Sequence, residues 1–430
     1  MAEPRDNRVS AFRQVPELAP MLLASMLSRT GATMVGLSMG FVAYEQTTSA
    51  LTVAIVASSF GLAFAASSLI AGHVLARVGL RSMLVGAIAS QIAGALALAS
   101  VTSTAGADVT WLIIFSITSG LASAFVFVGS QMLIHGVAPG EHLQRVVSLD
   151  AASMSLSRIA GPALGGLLLA MIGVPPVFLI AAFFYAPFLV VIGVLATRAD
   201  DQKPPTRPRL REAVGFFRHL SLLRWAIITA ALAELLALPL VNMMPAVTES
   251  LNRDAAGRLG ILVACVAVGS VGQVLLVSRL SARHDTRVVV AISYSATGLL
   301  LLGIALVDEL FVAAFLLVTF GLVVSVGRTL LLTCIHVGAP DSHRHHVLSL
   351  YIFVTAAATP IGALIWGAVA DLLFIDASLA GAGVLLVFGV GAALIAVLRR
   401  EADAPALHGG NDVVRVAPAA TVPRGSGSAR

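Results

Sequence analysis

The sequence predicts an all-α membrane protein with twelve transmembrane helices, arranged as two six-helix pseudo-symmetric halves. Three observations carry that prediction. The first is composition: of 430 residues, 58% are hydrophobic and only 11% charged, and the mean hydropathy is +0.95. A soluble domain carries about 25% charged residues, so this chain has too little polar surface to coat a water-soluble core of its length. The second is the recurrence, from Met21 to Leu398, of apolar stretches of about 20 residues, the length that crosses a bilayer as a helix. The third is an internal repeat that relates the second half of the chain to the first.

In chain order, residues 1–19 are polar and carry Arg5, Arg8 and Arg13. The apolar run that follows has no small-residue cleavage site and reads as a retained first span. Spans at 20–44, 50–74, 81–102, 110–135, 147–172 and 177–196 build an N-terminal bundle over residues 20–196. Residues 197–222 form the one long polar break, with Pro204 and Pro205 in a linker and the run LREAVGFFRHL from Leu210. That run reads as an amphipathic helix lying on the inner leaflet. Spans at 223–247, 258–280, 287–307, 310–334, 347–371 and 378–398 build the C-terminal bundle over residues 223–398. Residues 399–430 are rich in Pro, Ala, Gly and Ser and read as a disordered tail. The final TVPRGSGSAR resembles a protease-cleavage tag and carries no functional argument.

The basic residues orient the spans. Arg29, Arg158 and Arg328 fall inside them. Of the remaining basic residues, all but Arg253 and Arg258 fall in the termini and the even-numbered loops. The side of a membrane protein rich in Lys and Arg is the cytoplasmic one. Both termini and the central linker are therefore expected in the cytoplasm, and the chain in the cell (inner or plasma) membrane. The net charge of +5 is thus a topology signal. Nucleic acid is excluded as a partner, because the basic residues are dispersed and lack base-stacking aromatics beside them. The partners expected are the lipid bilayer, a small molecule and protons. Nothing in the sequence signals an oligomer, so a monomer is expected.

The repeat is explicit at the inner ends of spans 4 and 10. LIHGVAPGEHLQRVVSLD from Leu133 matches CIHVGAPDSHRHHVLSLY from Cys334, without a gap, at Ile134/Ile335, His135/His336, Ala138/Ala339, Pro139/Pro340, His142/His343, Val146/Val347, Ser148/Ser349 and Leu149/Leu350. A six-span unit used twice in one orientation suits a binding site at the midplane between two halves that rock.

With these residues in hand, the chain resembles the major facilitator superfamily along all twelve spans. The loop after span 2, GHVLARVGLR, matches the family signature G-x-x-x-D-R-x-G-R-R at Gly72, Arg77, Gly79 and Arg81, with Ala76 in place of the aspartate. The second copy, SRLSARHDTR, retains Arg283 and Arg287 and again has alanine, Ala282, at the acidic position. The resemblance gives that aspartate a latching role, which its absence puts in doubt here. Span 5 carries GPALGG, with Gly161, Pro162, Gly165 and Gly166, the core of the family's antiporter motif. Close helix packing is the plainer use of such small residues. SRTGA at Ser28, SRIAGPALGGLLL at Ser157 and LREAVGFFRHLSLLRWAI at Leu210 resemble the drug–proton antiporter branch that includes macrolide efflux proteins and enterobactin exporters. The resemblance implies a secondary active transporter, with spans 1, 4, 7 and 10 lining a central cavity.

A charge at bilayer depth costs about 2.5–3.5 kcal/mol on insertion scales, so it needs a partner or a task. Four stand out: Arg29 in span 1, Arg158 in span 5, Glu234 in span 7 and Arg328 in span 10. By the resemblance, Arg29 and Arg328 face substrate, with Asn242, Ser38 and Gln131 as polar contacts; helix–helix bonding is the alternative use of those polar side chains. Glu234 is read as the only acid deep in a span. Aligning spans 1 and 7 sets it opposite Thr30, beside Arg29. It is then either a proton carrier or half of a permanent ion pair with Arg29. Arg158 is expected to bond to carbonyls of a neighbouring helix beside GPALGG. Asp150 and Asp371 are read as shallow, at helix ends or gates. Three arginines against one acid leave an anionic substrate open.

No Walker motif, dinucleotide fingerprint or HExxH occurs, so no enzyme activity, cofactor or metal is expected; the His343–His346 run is read as a solvated loop. The function expected is proton-coupled efflux of amphipathic drugs or natural products by alternating access. A dedicated exporter of an anionic metabolite such as a siderophore, and a non-transporting membrane sensor, are the rival readings.

Overall fold

The computed structural model of the chain describes residues 18–104, 108–137, 143–199, 221–250, 255–283, 285–338 and 344–403. The expected polar N-terminus, the linker's Pro-rich part and amphipathic helix, and most of the tail lie outside the described residues. So do the side chains of His135, His336, Arg283 and the His343–His346 run.

The described chain is almost wholly helical, as a polar backbone in hydrocarbon requires. The N-terminal half holds α1 (Leu18–Thr47), α2 (Ala50–Val78), α3 (Leu80–Thr104), α4 (Val109–Val137), α5 (Leu143–Ile172) and α6 (Val174–Ala199). The C-terminal half holds α7 (Ser221–Leu236), α8 (Ala255–Arg283), α9 (Thr286–Ala305), α10 (Leu310–Gly338), α11 (Arg344–Leu372) and α12 (Ile375–Asp403). Ten helices contain a stretch long and apolar enough to cross a membrane. Of the other two, α1 is as long but more polar, and α8 carries the apolar stretch Arg258–Gln273. In α1 the polar residues Ser25, Ser28, Thr30 and Ser38 are buried against other helices, so the polarity faces protein. Phe183, Phe311, Phe315 and Phe388 point outward, as side chains facing lipid do. Helix α12 continues to Asp403, past the end of the apolar span at Leu398, which shortens the tail expected from residue 399.

Turn chemistry sets the boundaries. Ser49 caps α2, its Oγ accepting from Thr52 N at 3.0 Å. Gly79 ends α2 at φ +78°, where its N–H donates to Leu75 O; a side chain is strained at that φ, which explains the signature glycine. Arg77 and Arg81 flank it and are exposed, and Gly72 meets open space. In the second copy, Asp285 caps α9 by accepting from Arg287 N at 2.9 Å.

Span 7 departs from the expected unbroken helix. Helix α7 stops at Leu236, and two short helical segments follow, Pro239–Asn242 and Met244–Ser250. The cause is Pro239, which has no N–H to give the carbonyl four residues earlier, Leu235. Trp366 Nε1 of α11 donates to that carbonyl at 3.1 Å, so the break is satisfied by a neighbouring helix. Gly362 of α11 lets the two backbones approach there, because a Cβ would collide with Leu235 O.

The two halves pack alike. Helix α1 lies against α5 and α6, α2 against α4, and α3 against α4 and α6. Likewise α7 lies against α11 and α12, α8 against α10, and α9 against α10 and α12. Across the molecule α2 packs on α11 and α5 on α8, the same contact seen from each half. Close approaches between the halves lie towards the end remote from the chain termini. Gly166 of α5 meets Gly260 of α8 backbone to backbone. Ser58 Oγ of α2 donates to Pro360 O of α11 at 2.8 Å. At the rim, Asp371 of α11 accepts from Ser49 Oγ at 2.5 Å, Ala50 N at 2.8 Å and Leu51 N at 3.3 Å. A carboxylate of one half thus caps a helix N-terminus of the other.

Candidate functional site

The intramembrane charges form two clusters, one in each half. In the N-terminal half, Arg29 Nη1 of α1 donates to Asp150 Oδ1 of α5 at 2.7 Å. Gln131 Nε2 of α4 donates to Asp150 Oδ2 at 3.0 Å. The Asp150 side chain is only 4% exposed. Asp150, read as a helix-end residue at the start of span 5, is thus a buried and paired acid, as Glu234 is. The burial is not visible in hydropathy, because Asp150 sits at the polar start of an amphipathic stretch and is covered by α1 and α4. Gln131 and Arg29 are thereby held by Asp150. Ser38 is fully buried, with no hydrogen-bond partner for its Oγ among the described residues, so it does not reach an open cavity here. Asn242 is half-buried in the short segment after the α7 break.

In the C-terminal half, Glu234 of α7 pairs with Arg328 of α10, Oε1 to Nη2, at 2.9 Å. Thr359 Oγ1 of α11 donates to Glu234 Oε2 at 2.6 Å. Both carboxylate oxygens are therefore engaged. The Glu234 side chain is 7% exposed, while that of Arg328 is 39% exposed, so the guanidinium reaches from the pair into open space. Tyr351 of α11 lies beside it. The expected Glu234–Arg29 contact is absent: Arg29 is committed to Asp150 and Glu234 to Arg328. Positions equivalent by an internal repeat lie on opposite sides of the axis relating the halves, so equivalence in the alignment does not bring them into contact. The repeat does carry one signal that reading missed. Asp150 and Tyr351 end the two matched runs, and each sits against an arginine.

The span 5 motif is a packing surface, as its small residues suggest. A Cβ on Gly161 would collide with Thr33 Oγ1 of α1, and one on Gly165 would come within 3.3 Å of Met34 Cα. Ser157 Oγ donates to Met26 O of α1 at 2.9 Å. Pro162 lies inside α5 and leaves the carbonyl of Arg158 without its helical N–H. Arg158 is not part of that packing. Its side chain is exposed and makes no hydrogen bond or ion pair among the described residues. It stands within electrostatic reach of Arg328, Glu234, Tyr351 and Arg29. The expected bond to a neighbouring helix carbonyl is therefore corrected.

A model of the Major Facilitator Superfamily matches residues 21–363. The chain belongs to that superfamily. Transporters with solved structures share the fold at low sequence identity. A point mutant of the nucleoside transporter NupG aligns with a TM-score of 0.71 at 13% identity, covering 88% of this chain and 99% of that one. A bacterial homologue of the human lysosomal transporter Spinster aligns with a TM-score of 0.68 at 14% identity, covering 91% and 99%. Among curated superfamily relatives, the multidrug efflux pump Tap of Mycobacterium bovis (strain BCG / Pasteur 1173P2) is 25% identical over 365 residues, 82% of this chain and 86% of Tap. Tap of Mycolicibacterium fortuitum is 25% identical over 398 residues, 88% and 95% of the two chains. This superfamily member is a multi-pass membrane transporter.

Proposed function

We propose that the chain is a proton-coupled exporter of amphipathic small molecules, drugs or natural products, that works by alternating access as a monomer in the cell membrane with both termini in the cytoplasm. The observation that carries the reading is the Glu234–Arg328 pair, a buried carboxylate engaged on both oxygens beside the α7 break. Discontinuous helices line the substrate and ion sites of many transporters. The name shared by the Tap relatives, multidrug efflux pump, supports export.

The cycle follows from the pair. With the remote end closed by α2–α11 and α5–α8, the site communicates with the end that carries the termini. Opening outward exposes Glu234 to external protons. A proton on its carboxylate removes the charge that holds Arg328, which frees α10 from α7 and favours return. Loss of the proton to the cytoplasm lets the ion pair re-form. Substrate travels out on the opposite limb.

The test is export of the neutral dye Nile red from energised cells that express the chain. Collapse of export by a protonophore is expected. Export that persists after collapse of the proton gradient contradicts the coupling.

A further inference from the structure

We propose that Arg158 is the anion-recognising residue of this transporter and holds the carboxylate of a monoanionic amphiphile between the two halves. This rests on the transporter reading above and adds to it a substrate class and the residue that selects it.

Helical geometry places the side chain. Successive residues of a helix advance by roughly 100°. The α5 face that carries Ser157, Gly161 and Gly165 packs on α1, and Gly166 packs on α8 of the other half. Taking Gly161 as origin, Gly166 lies roughly 140° round the helix and Arg158 roughly 60° round, between the two contacts. Arg158 therefore points along the seam between α1 and α8, where the halves meet, and not towards lipid. It is exposed there, so the seam is open at its level.

Charge accounting makes the residue unusual. Arg29 is neutralised by Asp150, and Arg328 by Glu234. Arg158 has no carboxylate of its own among the described residues, although a charge at this depth is costly unless paired. Its nearest charged company includes another guanidinium, Arg328, whose free edge also faces open space. Two guanidinium groups within electrostatic reach of one another and of a single carboxylate, Glu234, leave one positive charge without a partner. A planar carboxylate suits it, because guanidinium offers paired donors at the matching spacing.

The test measures equilibrium binding of a matched pair of fluorescent probes, dansylamino-undecanoate and its methyl ester, to the full chain in phosphatidylcholine nanodiscs. Binding to empty nanodiscs is subtracted. The wild type is expected to prefer the carboxylate by about tenfold or more, the size of one charge-assisted contact. Arg158→Gln should bring the ratio to about one, and Arg158→Lys should retain part of it. Glu234→Gln should raise the ratio, since it removes the charge that competes for Arg328. An equal affinity of wild type for both probes, or an undiminished preference in Arg158→Gln, would overturn the proposal. If Arg158→Gln fails to fold, Arg158→Lys decides: a preference smaller than that of the wild type supports the proposal, and an unchanged one overturns it. Competition by added phosphatidylglycerol that abolishes the preference would assign the position to a lipid headgroup and overturn the substrate assignment. No gradient enters this experiment, so its outcome is independent of whether export is proton-coupled.

Discussion

Asp150 and Glu234 bury negative charge in opposite halves of the molecule, and their partners distinguish their tasks. Asp150 is enclosed by Arg29 and Gln131 on helices of one half, an arrangement that holds α1, α4 and α5 together. Removing one partner of a buried pair leaves the other charge uncompensated, at a cost of about 3–5 kcal/mol. Asp150→Ala should therefore lower the thermal unfolding midpoint in detergent strongly. Adding Arg29→Leu to it should recover most of the loss. Equal damage from the single and double variants would show that the pair is not the source of the stability. Glu234 differs in having a partner, Arg328, that is open on its other side. At this scale the sequence exposed the participants but not the pairings. Arg29, Arg158, Glu234 and Arg328 stand out as charges in apolar runs. Which guanidinium meets which carboxylate depends on helix rotation, which hydropathy does not encode. Asp150 escaped because its neighbours Arg145 and Ser148 make its stretch look like a polar helix end.

The helices themselves were legible, since a run of apolar residues long enough to span lipid has few other uses. The break in α7 was not. A window of about 20 residues scores the same with or without a proline, although Pro239 dictates the interruption on stereochemical grounds. Trp366→Phe should keep the ring packing and leave the Leu235 carbonyl without its donor. A buried unsatisfied carbonyl costs about 1–3 kcal/mol, which a thermal unfolding curve would register; an unchanged midpoint would indicate that another donor reaches Leu235. The contacts between halves make a second prediction for elements. Gly166 and Gly260 touch backbone to backbone, and Asp371 caps α2 from α11. Gly166→Val should block closure at the remote end and Asp371→Asn should weaken it. Spin labels on the ends of α2 and α11 remote from the termini should then report a longer mean distance than in the wild type. Unchanged distances in both variants would rule out these contacts as the closure.

At the scale of the molecule, the repeat found between Leu133 and Cys334 reappears as matched packing, α1 with α5 and α6 as α7 with α11 and α12. That correspondence was readable, because a duplicated unit keeps its helix neighbours even where its residues diverge. The asymmetry between the halves was less so. Both carry an arginine–carboxylate pair, but among the described residues the C-terminal pair has the more exposed arginine, 39% against 14%, and lies beside a broken helix. Coupling an alternating-access cycle to protons needs a group whose proton affinity differs between the two conformations. The most direct measurement is uphill Nile red transport in proteoliposomes, driven by an imposed pH gradient, for wild type beside Glu234→Gln at equal amounts of folded protein. The wild type should accumulate dye against its gradient, and the variant should lose at least about tenfold in rate, equivalent to about 1.4 kcal/mol. Uphill transport by Glu234→Gln at the wild-type rate would contradict the assignment of proton coupling to this carboxylate.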